Sequence, residues 1–250
     1  MQIADSNAIV SVVIPCLDEE GPIGDVVREV LAEGVDEVIV VDNGSRDATA
    51  ERARQAGARV VSEPRRGYGR ACAAGVAHVR SDAEIVCFLD GDGSDVPRFI
   101  RDIVGPVARG DTDFVMGSRL AGRREAGSLT PQQLLAGWLA GALLRMVYGV
   151  HFTDMSPFRA MRVDRLRRLD MAETTYGWNL EMQMRVAAAG LRIRELAVDH
   201  RCRRAGVSKV SGNMSAGLGA AWKITTTFAR LAFALRGKRR RRLIAERSSP

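Results

Sequence analysis

Residues 85–95 read Ile-Val-Cys-Phe-Leu-Asp-Gly-Asp-Gly-Ser-Asp, an unbroken apolar run that ends in two aspartates separated by one glycine. A short continuous run of this kind is how a strand buried on both faces of a parallel sheet reads. In an open sheet of parallel strands, ligands bind beyond the carboxyl ends of the strands. Asp90 and Asp92 would stand at such an end, and carboxylates crowded there repel each other unless something positive lies between them. Mg²⁺ and Mn²⁺ are hard cations that take carboxylate oxygens and share the site with substrate phosphates. Asp90 and Asp92 are therefore candidate ligands for a metal that holds a diphosphate. The competing reading is an acidic turn, with Gly91 and Gly93 supplying positive φ angles.

Working outward, Ile9–Ile14, Glu37–Val41 and Arg59–Val61 read as strands of the same type, and Phe114–Met116 gives a fifth. Between them Ile23–Ala32, Ala48–Gln55 and Arg70–Val79 carry apolar residues at three- and four-residue spacing, as amphipathic helices do. Asp47 is placed to cap the second helix and Gly57 to end it. Strand alternating with helix implies right-handed crossovers and a doubly wound, mostly parallel α/β sheet. After Gly117 the pattern changes: an Arg- and Gly-rich loop (118–127), then an apolar helix over Gln132–Tyr148. Helices near Val163–Leu169 and Trp178–Ala189 follow, with a strand at Ile193–Val198 and a long helix over Ser211–Leu235.

The formal net charge of +7 is a property of the tail. Residues 236–250 hold seven Arg and Lys against Glu246, so all but about one unit of it lies there. The balanced body and the absence of any nucleic-acid motif argue against specific nucleic-acid binding. Cys16, Cys72, Cys87 and Cys202 show no metal-ligand spacing and read as reduced thiols of a cytoplasmic protein. Met1–Asn7 lacks a leader pattern, and the longest uncharged window, Ala126–Leu144, is interrupted by polar residues and too short to span a bilayer.

The chemistry-bearing residues follow the strands. Pro15-Cys16-Leu17-Asp18-Glu19 follows the first and Asp42-Asn43-Gly44-Ser45 the second, so three polar ends meet on one rim. Arg65-Arg66-Gly67-Tyr68-Gly69-Arg70, before the third helix, suits an anion: glycine permits close approach and helical N–H groups point outward. In the second half, Gly117-Ser118-Arg119, Asp154–Arg159 and Arg204–Lys209 set Arg or Lys beside Ser, which suits phosphate oxygens. There is no Walker sequence and no complete dinucleotide fingerprint after the first strand.

The ordered motifs PCLDE (15–19), VDNGSRDAT (41–49), GYGRA (67–71), DGD (90–92), GSR (117–119), DMSPFR (154–159) and RAGVSK (204–209) together resemble the family 2 glycosyltransferases of the GT-A fold. Within that family they are most similar to the dolichyl- or polyprenyl-phosphate sugar transferases. The resemblance implies a GT-A domain over 1–212, with a nucleotide-binding half (1–120) and an acceptor-binding half (121–212). Residues 213–250 would form an amphipathic helix and basic tail. It also implies a nucleotide sugar, UDP- or GDP-linked, on Pro15, Leu17, Glu19, Asp42, Asn43 and Gly67. Asp90 and Asp92 would hold the metal and diphosphate, with Arg204 and Lys209 closing over the phosphates. Arg119, Ser156 and Arg159 would meet the acceptor. Asn43, Ser94 and Pro157 depart from the family's usual Asp, Gln and Gly at those places.

Inverting transfer follows from this reading, with Asp92 central to catalysis. A phosphate monoester acceptor is already ionised, whereas a hydroxyl acceptor requires a carboxylate to take its proton. Glu181, where the family often has an acidic residue, and Asp154 are the candidates for that role; a helix-initial glutamate stabilised by the macrodipole is the plainer reading of Glu181. The apolar segment Phe228–Leu235 and the cluster Arg236–Arg242 compose a surface attracted to anionic lipid, so a peripheral place on the cytoplasmic face is expected. Two other classes stay open: a sugar nucleotidyltransferase, and a non-catalytic adaptor acting through its tail.

Overall fold

The alternation expected from the apolar runs forms. In order, β1 (Val10–Cys16), α1 (Ile23–Ala32), β2 (Glu37–Asp42), α2 (Thr49–Gln55), β3 (Arg59–Ser62), α3 (Tyr68–Ala77) and β4 (Ile85–Phe88) make up the first half. A 3₁₀ turn, Pro97–Phe99, runs into α4 (Ile100–Ala108), and β5 (Phe114–Ser118) follows. The second half adds α5 (Pro131–Tyr148), β6 (Arg159–Arg162), α6 (Val163–Leu169), α7 (Trp178–Ala188) and β7 (Ile193–Ala197). The computed structural model describes residues 8–204, 222 and 224–235, the last of these stretches being helical. Lys209 and the basic tail 236–250 lie outside the described residues.

One seven-stranded sheet runs in the order β3-β2-β1-β4-β6-β5-β7. β1 pairs parallel with β2 and with β4, and β5 pairs parallel with β7. β6 is antiparallel to both of its neighbours, setting Val86 opposite Met161 and Val115 opposite Ala160. The sequence pattern missed β6 because Arg-Ala-Met-Arg has no apolar run. Its edges are nevertheless satisfied by the ladders on both sides, and Arg159 at its start is buried.

Successive side chains of a strand point to opposite faces, and the core divides accordingly. Val13, Ile39, Val41, Phe88, Phe114 and Met116 face α3, α5, α7 and the helical residues 224–235. Val12, Ile14, Val40, Cys87, Leu89 and Val115 face α1 and α4. Burying one such side chain contributes about 1.5–3 kcal/mol, so truncating Ile103, fully buried on α4, to Ala would cost about 2–5 kcal/mol.

α5 starts with a capping box. Gln133 N donates to Thr130 Oγ1 (3.3 Å), and Thr130 N donates to Gln133 Oε1 (2.9 Å). Pro131 stands at the first helical turn, where its missing N–H has no partner to lose. Gly149, at φ 71°, ends the helix in the left-handed conformation. The small residues Ala136, Gly137, Ala140 and Gly141 form the buried face. The opposite face leaves Leu135, Trp138 and Met146 exposed, so α5 is a core helix on one side and an uncovered apolar surface on the other.

Candidate active site

The three polar strand ends meet as expected, sewn together by side chain–backbone bonds. Asp18 N donates to Ser45 Oγ (2.9 Å), Arg46 N to Asp18 Oδ1 (2.7 Å) and Glu19 N to Thr49 Oγ1 (2.7 Å). Asp42 Oδ1 accepts from Ser45 N (2.9 Å) and so shapes its own turn. Asn43 is almost wholly buried. Its amide nitrogen donates to the carbonyls of Glu63 (2.8 Å) and Arg65 (3.0 Å), and its Oδ1 accepts from Gly67 N (2.7 Å). It therefore fixes the 63–67 loop that forms the next wall of the site.

These walls enclose a cleft of about 460 Å³. Pro15, Leu17, Glu19, Asn43, Gly67, Asp90 and Asp92 all line it, joined by Arg66, Tyr68, Thr175, Tyr176 and Arg203. Seven of the residues assigned to nucleotide sugar or metal thus share one cavity, while Asp42 is not among its lining residues. A smaller cleft of about 280 Å³ beside Arg98, Arg124 and His200 carries none of the motif residues.

Tyr68 donates its hydroxyl to Asp90 Oδ1 (3.2 Å). Burial, then the charges of Asp92 and Asp95, push the Asp90 carboxyl well above the usual carboxylate range, against the pull of Arg119 and Tyr68. Asp92 Oδ1 accepts from Ser94 N (2.9 Å) and Ser94 Oγ (2.6 Å). Arg203 bridges the cleft, with Nη1 2.8 Å from Asp92 Oδ2 and Nη2 2.6 Å from Glu19 Oε1. The segment that follows β7 is pinned over this loop, because Arg201 N donates to Ser94 O (2.9 Å) and Arg204 N to Asp92 O (3.1 Å). Arg204 itself turns away: its guanidinium meets Glu29 and lies 3.8 Å from Asp25 on α1. The arginine that faces the Asp90–Asp92 loop is its neighbour, Arg203. The sequence signal for it was present, since Gly206 stands three residues after Arg203, the R-x-x-G spacing of the resembled motif.

Two hard carboxylates at the mouth of a cleft fit a divalent cation. Among the described residues no group of three or more His, Cys, Asp or Glu is arranged to hold a metal. The donor set therefore suits an ion that completes its shell with phosphate oxygens.

The acceptor-side residues are placed differently. Arg119 and Asp154 form a buried bidentate pair, with Nε–Oδ2 and Nη2–Oδ1 both 2.7 Å, and Arg119 N adds a third bond at 3.0 Å. Burial pushes the Asp154 carboxyl up, but the Arg119 bonds and charge outweigh it and hold the group below its usual value. Ser156 is fully buried and accepts from Phe158 N (3.2 Å). Arg159 donates to the carbonyls of Asn179 (3.0 Å) and Ser156, with its guanidinium 5.9 Å from the Phe114 ring centre; burial lowers its pKa to about 10. Glu181 is fully buried as well. It accepts from the backbone N–H of Ala172 (3.0 Å) and Glu173 (2.7 Å) and from Arg185 Nε (2.8 Å). None of these five residues lines the main cleft.

The family model described as glycosyl transferase family 2 matches residues 11–170. An uncharacterized glycosyltransferase of Mycobacterium tuberculosis is 37% identical over 206 residues, covering 82% of this chain and 91% of that one. The undecaprenyl-phosphate mannosyltransferase of Micrococcus luteus is 28% identical over 192 residues, 71% of this chain and 77% of its own. Among solved structures, glucosyl-3-phosphoglycerate synthase from Mycobacterium tuberculosis, in complex with Mn²⁺, uridine diphosphate and glucosyl-3-phosphoglycerate, superposes with a TM-score of 0.69 at 25% identity. That alignment covers 90% of this chain and 80% of the other.

Proposed function

The chain belongs to glycosyl transferase family 2 and is a glycosyltransferase of GT-A fold; from that premise we propose an inverting hexosyltransferase that carries a sugar from a UDP- or GDP-sugar to a polyprenyl phosphate at a membrane surface. Asp90 and Asp92 would hold Mg²⁺ or Mn²⁺, in keeping with the Mn²⁺ and uridine diphosphate bound by the structural neighbour. When bound, the cation offsets the charge that develops on the departing diphosphate. Pro15, Leu17 and the loop fixed by Asn43 take the nucleoside. Arg203 exchanges its carboxylate partners for phosphate oxygens as the donor enters, a charge-assisted contact that strengthens as the leaving group gains charge.

The observation that carries the acceptor assignment is the engagement of both candidate bases. Glu181 and Asp154 are each saturated by an arginine and by backbone N–H groups, so neither is free to take a proton. A phosphate monoester needs none. Its oxygen forms the new bond to the anomeric carbon on the face opposite the diphosphate. The old C–O bond breaks with its electron pair leaving on the diphosphate, and no proton moves. A soluble acceptor is the second reading, favoured by the neighbour's bound glucosyl-3-phosphoglycerate.

The division into a nucleotide half (1–120), an acceptor half (121–212) and a membrane-directed end (213–250) rests on the same reading. Support for the membrane comes from α5, where Leu135, Trp138 and Met146 are exposed at three- to eight-residue intervals, and from exposed Trp222 and Phe233. Among the described residues no helix is long and apolar enough to cross a membrane, so attachment would be to its surface.

The test is transfer of labelled sugar from UDP-glucose or GDP-mannose, with Mn²⁺, to undecaprenyl phosphate in vesicles or to 3-phosphoglycerate in solution. Lipid-linked product lost on chelation supports the proposal. Product on 3-phosphoglycerate alone transfers the reading to a soluble acceptor, and no product from any pair refutes it.

A further inference from the structure

Between α6 and α7 the chain crosses from the second half onto the mouth of the cleft as a strap, Met171 to Gly177. Two devices hold it. At one end the Glu181 carboxylate collects the N–H groups of Ala172 and Glu173, while Arg185 joins that carboxylate to the Leu169 carbonyl (2.7 Å). At the other end the strap lies directly on the start of α3, with Thr174 O accepting from Arg70 N (3.2 Å). A Cβ at Gly67 would stand 2.3 Å from Thr174 O, and one at Gly69 2.2 Å from Glu173 O. Only glycine at these two positions lets the strap seat so closely.

The seated strap brings Thr175 and Tyr176 onto the cleft wall beside Asp90 and Asp92. The Tyr176 ring stacks on Tyr68 (centroids 6.2 Å apart, planes at 22°), and Tyr68 is the residue that donates to Asp90. With one face against Tyr68, Tyr176 keeps 47% of its surface exposed. An aromatic face carries partial negative charge and attracts polarised C–H groups. A pyranose presents such an apolar C–H face, and the sugar of a donor anchored at Asp90 and Asp92 would lie next to its diphosphate.

Resting on the donor reading above, we propose that Tyr176 is the residue that recognises the transferred sugar, and that Glu181 is a positioning residue holding the strap that presents it. The nucleoside and diphosphate are gripped by the first half of the chain together with Arg203. The hexosyl group is read by a segment delivered from the second.

The experiment is calorimetric titration of the full chain, with Mn²⁺, against UDP-glucose, GDP-mannose and the bare nucleotides UDP and GDP. Wild type fixes which sugar nucleotide and bare nucleotide form the relevant pair. Tyr176→Ala is expected to weaken the sugar nucleotide roughly tenfold and leave the bare nucleotide unchanged, with Tyr176→Phe like wild type. Glu181→Gln is expected to reduce the same ratio without touching bare-nucleotide affinity, which a general loss of structure would not do. Because Tyr176 is half exposed, its alanine variant keeps the test available if Glu181→Gln does not fold. Equal weakening of both ligands by Tyr176→Ala, or of neither, overturns the assignment. Failure of wild type to bind any of the four refutes the UDP- or GDP-sugar donor reading, and this inference with it.

Discussion

In the first half of the chain, charged and polar side chains at the strand ends are tied to the backbone of neighbouring loops, and Asp90 and Asp92 are left on the wall of a cleft. In the second half, the corresponding motif residues are turned inward. Asp154 is closed by Arg119, Glu181 by Arg185 and the strap, and Arg159 by carbonyls and the Phe114 ring. The same residue types thus stand on the cleft wall in the first half and hold the architecture at these motifs of the second. Position decides between the roles, since a charge withdrawn from water is paired within the protein in either case. Asp92, paired with Arg203, lies on the cleft wall, whereas Asp154 and Glu181 are paired away from it.

That contrast is open to test, most severely at Asp92. Asp92→Ala should reduce transfer by about a thousandfold and abolish Mn²⁺-linked thermal stabilisation by the donor, while the unfolding midpoint without ligand changes little. A wild-type rate in this variant would remove the first half's claim to the chemistry. Asp154→Ala should act in the opposite sense, lowering stability by about 3–5 kcal/mol because buried Arg119 loses its partner, as read by urea denaturation. Unchanged stability with a lost rate would instead identify Asp154 as the base.

The pH dependence sharpens the same point. The Asp154 carboxyl titrates below its unfolded value, so its contribution to stability is present above the ordinary carboxylate pKa and is lost as pH falls through the folded one. Wild type should lose stability as the pH falls below the ordinary carboxylate value of 3.8. Asp154→Asn should be less stable at neutral pH and show a shallower acid limb in thermal melts. Next in size comes the register of the last loop. Arg203→Gln should weaken donor binding about tenfold to a hundredfold, and Arg204→Gln by less than about threefold, measured as KM for the nucleotide sugar. The reverse order would restore Arg204 as the phosphate contact. The smallest effect is expected at α5, where Trp138→Asp should reduce sedimentation with phosphatidylglycerol vesicles several-fold and leave donor affinity unchanged.

How far the sequence could be read depended on the distance over which each feature is decided. The strand ends at Pro15, Asp42 and Asp90 were visible because each follows an apolar run and belongs to it locally. The partners of Glu181 were not legible, because its position in an acidic family motif says nothing about what its oxygens meet. The strap residues that occupy them lie on the far side of a turn. Tyr176 carried no signal of its own, since an isolated tyrosine before Gly-Trp is as well explained by packing.

The sequence by itself determined the α/β class, the convergence of three polar loops on one rim, the carboxylate pair suited to a divalent cation and the placement of the basic charge in the tail. These follow from residue type and short-range period, which act over a few residues. The tertiary structure alone decided that β6 (Arg159–Arg162) enters the sheet antiparallel between β4 and β5, that Arg203 rather than Arg204 faces Asp92, and that Glu181 holds a strap. In extended chain adjacent side chains point to opposite sides, so a register difference of one residue exchanges an arginine in the cleft for one on the surface. Only the backbone bonds that pin 201–204 over the Asp92 loop set that register.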